Sequence, residues 1–127
     1  MDTRAVFFFD GGCRPNPGPI EAAVVHRGRT EIRDDLGRGD NNEAEWQALL
    51  LAVDLARSQG VTDALFVGDS AVVIAQARGV QPCRSPQLDP YLTAFREAAG
   101  HFERVRLRQV PRSKNLAGIA LARRAQR

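Results

Sequence analysis

The chain predicts an α/β fold: a mixed five-stranded sheet, made of a three-strand antiparallel meander plus parallel strands, flanked by helices. Three observations carry that expectation. Two apolar runs, Ala5 to Phe9 and Ala64 to Val67, each stop at glycine and aspartate, in Asp10-Gly11-Gly12 and Gly68-Asp69; short bounded runs of this kind are buried strands. Trp46, Leu49, Leu50 and Val53 recur at three- and four-residue spacing, which makes one buried stripe on a long helix. Strands first, then helices alternating with strands, make a meander joined to βαβ units.

The elements follow in order. Arg4 to Phe9 is the first strand, ended by the glycines. Cys13 to Pro19 holds three prolines and a glycine and reads as a rigid turn. Glu21 to His26 and Arg29 to Leu36 are two further strands, with Gly28 in the short loop between them. Glu43 to Ser58 is the clearest helix, with Asn41 or Asn42 as its cap and Gly60 as its stop. Leu65 to Val67 is a strand, and Ser70 to Ala77 a helix capped by Asp69 or Ser70. Gly79 to Pro90, with three prolines, is a connector. Tyr91 to Ala99 is a helix. In Arg104 to Val110, Val105 and Leu107 face one way and Arg104, Arg106 and Arg108 the other, so this is a strand with a basic outer face. Asn115 to Arg124 is a last helix, with Leu116, Ile119 and Ala120 expected inward.

At 127 residues the chain is expected to be one domain, 1–127. A net charge of +3 is a mild lean toward polyanions. Cys13 and Cys83 form no CxxC or Cys/His cluster, so reduced thiols are expected and structural zinc is not. The first apolar run is too short for a signal peptide, and nothing approaches a membrane span. A cytoplasmic monomer with no membrane partner is the expectation.

Asp10, Glu45 and Asp69 stand out. Two acids at expected strand ends and one in the first turns of a helix suit a divalent-metal site, because hard cations take oxygen ligands. Pairs of such ions drive in-line attack on phosphodiesters. Taken singly, each acid reads first as a solvated strand end or helix start; their shared context reverses that and favours the metal.

The residues that carry a resemblance are Phe9-Asp10-Gly11-Gly12-Cys13 with Asn16-Pro17-Gly18-Pro19, Asn41-Asn42-Glu43-Ala44-Glu45, Gly68-Asp69-Ser70, and Val110-Pro111-Arg112 followed by Asn115. In these motifs and their order the chain resembles the type 1 class of ribonuclease H, over nearly its whole length. The resemblance implies a ribonuclease H-like fold and cleavage of the RNA strand of RNA–DNA hybrids. It implies two Mg2+ ions, with Mn2+ as a substitute, and 5′-phosphate and 3′-hydroxyl ends. By the same resemblance Asp10 bridges both metals. Glu45 holds the metal on the leaving-group side, near a ribose 2′-hydroxyl. Asp69 holds the metal that activates water. Gly11, Gly12, Cys13, Asn16, Asn41, Asn42 and Ser70 become candidate substrate contacts, with Arg112 a candidate phosphate contact. The asparagines also read as a turn residue and as helix caps, and Cys13 as a small buried side chain.

The chain departs from that family in three ways. The usual fourth carboxylate lies four residues after the position of Asn115, where this chain has Ile119. Asn115 is a candidate catalytic substitute through its amide oxygen; its plain reading is a helix cap. The loop Pro111-Arg112-Ser113-Lys114 lacks the histidine many members carry there. Asp40 stands where a phosphate-binding threonine is usual, and the connector lacks a basic helix. Hence two functions compete: a two-metal nuclease, or a hybrid-binding protein with weak or no catalysis. A junction resolvase or exonuclease of the same fold fits the asparagine pattern less well.

Overall fold

The computed structural model describes residues 4–125. The strands are β1 (Arg4–Cys13), β2 (Gly18–His26), β3 (Arg29–Arg33), β4 (Arg38–Gly39), β5 (Asp63–Gly68) and β6 (Arg104–Gln109). The helices are α1 (Asn41–Ser58), α2 (Ala71–Arg78), α3 (Asp89–Ala99) and α4 (Leu116–Ala125), with a 3-10 turn at Arg112–Lys114. The sheet runs β3-β2-β1-β5-β6, antiparallel through β3-β2-β1 and parallel through β1-β5-β6; β4 pairs with β2.

Alternation along the strands makes two apolar faces. Ala5, Phe7 and Phe9 of β1, Ala22 and Val24 of β2, and Ala64 and Phe66 of β5 join Trp46, Leu49 and Val53 of α1 in the larger core. Val105 and Leu107 of β6 pack against the same core, as their spacing predicts. Burying each large side chain contributes roughly 1.5–3 kcal/mol before entropy is counted. The opposite face is smaller: Ala23 and Val25 meet Ala117 and Leu121 of α4.

Four local expectations change. β1 does not stop at Phe9; it runs to Cys13 because β2 keeps pairing with it, Asp10 opposite Ala23 and Cys13 opposite Ile20. Its parallel pairing with β5 ends at Phe8 opposite Val67, so Asp10 lies just past the place where one neighbour falls away. The third strand ends at Arg33, and the chain returns as the two-residue β4, a sixth strand. The cap of α1 is Asp40, not Asn41 or Asn42: its carboxylate accepts from Glu43 N at 2.9 Å, and Glu43 reaches back to Asp40 N at 3.3 Å. That reciprocal pair satisfies two otherwise unpaired donors of the first turn.

The fourth concerns α4. Leu116 is 46% exposed and Ile119 is half-buried, while Ala117 and Leu121 are buried. Residues 117 and 121 lie one turn apart, and they rather than 116 and 119 face the sheet. The rotation is set at the helix start, where Asn115 is fully buried and its Oδ1 accepts from Ala117 N at 3.1 Å.

Candidate metal and nucleic-acid site

Three elements bring the acids together. Asp10 projects from β1 on the face opposite Phe7 and Phe9. Asp69 follows the last residue of β5, and Glu45 sits in the second turn of α1. One carboxylate oxygen from each lies within 4.8 Å of the others. Glu45 is 9% exposed and the two aspartates are half-buried.

This closeness depends on Gly11. A Cβ there would stand 2.0 Å from the backbone oxygen of Ala44. With none, α1 lies directly on β1, and Gly11 N–H donates to Glu45 Oε1 at 2.7 Å.

The electrostatics suit a cation. Burial first, then the Asp69 charge, pushes the Asp10 carboxyl well above the usual range; Glu45 and Arg112 pull it back in part. Burial first, then the Asp10 charge, pushes Glu45 up further. Close carboxylates out of water resist ionising together. A divalent cation reverses this, and three hard oxygen donors fit one.

Asn115 lies beside the acids but does not aim an oxygen at them. Its Nδ2 donates to Phe9 O at 3.0 Å and to Asp69 Oδ2 at 3.0 Å, and its Oδ1 caps α4. A flipped amide would set its oxygen against two acceptors, so the network determines the orientation. Asn115 therefore holds Asp69 through its amide nitrogen and spends its amide oxygen on the start of α4. The helix instead approaches the acids at Gly118, whose absent Cβ would lie 3.4 Å from Asp10 Oδ2 and 3.7 Å from Asp69 Oδ2.

The polar segments flank this cluster. Asn41 Oδ1 accepts from Cys13 N at 3.2 Å, Asn16 Oδ1 accepts from Asn41 N at 3.1 Å, and the Cys13 thiol donates to Gly39 O at 3.2 Å. Cys13 is buried beneath this lacing, whereas Asn16, Asn41 and Asn42 are exposed. Gly12 shares a groove with Asp10, Glu45, Asn41 and Arg112. The exposed Arg112 borders both this groove and a second one beside Asp69. Ser70 caps α2, accepting from Val73 N at 3.2 Å. Two residues were not singled out from sequence: Gly118 and the buried Glu43. The Asp40-to-Glu43 spacing is itself a capping-box signal; nothing local marks Gly118.

A family model described as reverse transcriptase-like matches residues 8–125. Ribonuclease HI of Halobacterium salinarum is 35% identical over 127 residues, covering 96% of this chain and 64% of that protein. The chain thus spans somewhat under two thirds of that relative's length. The crystal structure of RNase H1 from Halobacterium salinarum NRC-1 superposes with a TM-score of 0.87 at 31% identity, over 93% of each chain. LC11-RNase H1, solved in complex with an RNA/DNA hybrid, shares the fold at a TM-score of 0.77 and 23% identity, over 88% of each chain. The matching model, the identity along nearly the whole chain and the close superposition lead to one conclusion: this chain belongs to the type 1 ribonuclease H family.

Proposed function

We propose that the chain is a metal-dependent endoribonuclease that hydrolyses the RNA strand of RNA–DNA hybrids. The observation that carries the reading is the convergence of Asp10, Glu45 and Asp69 beside the laced polar segments of β1 and the α1 start. The donor set suits Mg2+, with Mn2+ as a substitute; bound there, such ions activate water and neutralise a departing oxygen. Asp10 has Asp69 and Glu45 as close neighbours, so it would help to hold an ion bound beside either. Asn115 holds Asp69 in place. Gly12, Asn16, Asn41 and Asn42 offer small polar groups and main-chain amides to a minor groove. Such groups read 2′-hydroxyls on one strand and their absence on the other. Arg112 supplies a cation next to Asp10, where a scissile phosphate would lie. The LC11 relative holds a hybrid on this fold, which supports the same substrate here.

The decisive experiment uses an end-labelled hybrid with Mg2+ or Mn2+, against the same sequence as DNA–DNA and RNA–RNA. Cleavage of the RNA strand of the hybrid alone, leaving 3′-hydroxyl ends, is expected. Equal cutting of DNA–DNA would overturn the reading. Hybrid binding without cleavage at any metal concentration would favour a binding protein instead. One observation favours that second reading: α4 meets the acids at a glycine, Gly118, and contributes no carboxylate.

Ile119→Asp tests the missing ligand. Asp is expected to lower the half-saturating Mg2+ concentration about tenfold, which is roughly 1.4 kcal/mol of added metal affinity. Because Ile119 is only half-buried, the packing loss should be roughly 1 kcal/mol, below the range for buried large-to-small changes. Calorimetric Mn2+ titration beside the activity titration checks it. Unchanged affinity in both would mean position 119 does not reach the metal.

A further inference from the structure

Glu43 is a buried carboxylate at the edge of the site that none of the proposed chemistry uses. It is 8% exposed and makes no ion pair among the described residues. Its charge is met by neutral donors from three parts of the chain. Oε1 accepts from Asp40 N at 3.3 Å and from the Gln87 amide at 2.5 Å, and Oε2 accepts from the Tyr91 hydroxyl at 3.4 Å. Gln47, one turn along α1, also donates to the Tyr91 oxygen. Burial and the Glu43 charge hold the Tyr91 phenol above its ordinary range, which keeps it a donor.

A buried carboxylate is destabilising unless its oxygens are satisfied, so three neutral partners need a reason. Geometry supplies one. Gly39 packs so tightly on Glu43 that a Cβ would stand 2.6 Å from Oε1. Gly39 O receives the Cys13 thiol, and the next residues are the Asp40 cap and Asn41, which grips Cys13 N. The lacing of Cys13, Asn16 and Asn41 thus hangs on the short segment 39–41. Glu43 ties that segment to the connector at Gln87 and to the start of α3 at Tyr91.

We propose that Glu43 is a positioning residue for substrate binding: it locks segment 39–41 to the connector and α3, and so sets the surface formed by Asn41, Cys13 and Asn16. This rests on the hybrid reading above. The metal-holding acids are anchored separately, Glu45 by Gly11 N and Asp69 by Asn115. A defect in the lock should therefore weaken substrate binding and leave metal affinity alone.

The test compares Glu43→Ala, Glu43→Gln and Tyr91→Phe with the parent protein in three measurements. KM and kcat are taken on a labelled hybrid, Mn2+ affinity is taken by calorimetry without substrate, and amide chemical shifts of Cys13, Asn16 and Asn41 are taken by NMR. Glu43→Ala is expected to raise KM about tenfold, the scale of one lost charge-assisted hydrogen bond, with kcat and Mn2+ affinity within about twofold. The three amides should shift. Glu43→Gln keeps an acceptor for Asp40 N and should restore most of the parent KM. Tyr91→Phe, which removes one donor and leaves the cap intact, should raise KM about two- to threefold. If Glu43→Ala does not fold, Glu43→Gln and Tyr91→Phe carry the test through the same readouts. Unmoved amides in Tyr91→Phe or Glu43→Ala, or a kcat and metal-affinity loss at unchanged KM, would overturn the proposal. If the parent cuts no hybrid, the functional reading fails; the amide shifts and Mn2+ affinity still decide whether Glu43 positions this surface.

Discussion

Asp10→Asn is expected to reduce hybrid cleavage by about a hundredfold or more, the scale of removing one preorganised charge from a catalytic site, and to stabilise the metal-free protein. Both effects have one cause. The Asp10 carboxyl is pushed up to about 6, first by burial and then by the Asp69 charge. Its folded-state value is thus above its unfolded one, and the folded state holds the proton longer. The stability this contributes is fully present below the ordinary carboxylate range and is lost as pH rises through about 6. Glu45, also pushed up, extends the loss toward higher pH. In chelator, the parent should therefore melt at a higher temperature at pH 5 than at pH 8. Asp10→Asn should remove the Asp10 share of that dependence, leave the share that burial imposes on Glu45, and gain on the order of 2 kcal/mol at pH 8. Saturating Mg2+ should reverse the order, stabilising the parent and not the variant, since a ligand that binds only the folded state stabilises it. Thermal unfolding at two pH values, with and without metal, checks this. A variant that is no more stable than the parent in chelator at pH 8 would show that the acids do not strain the fold. An active variant would remove Asp10 from the chemistry.

Gly11→Ala should have the largest effect on stability. The new methyl group would stand 2.0 Å from Ala44 O and 2.4 Å from Ala44 C, and both are backbone. The helix cannot yield locally, because Trp46, Leu49 and Val53 on the same face are completely or almost completely buried. Either α1 lifts from β1 or β1 bends, and both break the 2.7 Å bond from Gly11 N to Glu45 Oε1. A loss of roughly 3 kcal/mol or more is expected, at the upper end of overpacking, together with loss of metal binding. Gly12→Ala is the control. A Cβ there meets only Asn41 Oδ1, at 3.9 Å, and stability should stay within about 0.5 kcal/mol of the parent. Denaturant unfolding of the two variants settles the matter; equal midpoints would mean that the β1–α1 approach is not limiting.

Much of this molecule is legible in residue types and spacing. The runs ending at Asp10 and Asp69 read as strands because apolar residues bounded by glycine have few other places to go. The stripe from Trp46 to Val53 reads as a helix on a core, with Glu45 in its first turns. Alternation in β6 separated Val105 and Leu107 from the arginines. Each of these follows from a period of two or 3.6 that the backbone imposes, and the three acids follow from those elements.

What spacing could not decide was any choice among near-equivalent neighbours. Asp40, Asn41 and Asn42 can each cap a helix; Asp40 does so because Glu43 answers it and Asn41 is drawn to Cys13. Leu116, Ala117, Ile119 and Leu121 can each face a core. The face of α4 was selected by Asn115, whose amide satisfies Phe9 O, Asp69 and Ala117 N together. That choice turns Gly118 toward the acids and leaves Ile119 half-buried. The strand ran on past Phe9 because β2 offered partners as far as Ile20. The sequence by itself determined which residues carry charge and the elements on which they ride. Only the tertiary structure decided how those elements are rotated, because rotation is set by which buried polar groups find partners, and those partners lie far apart along the chain.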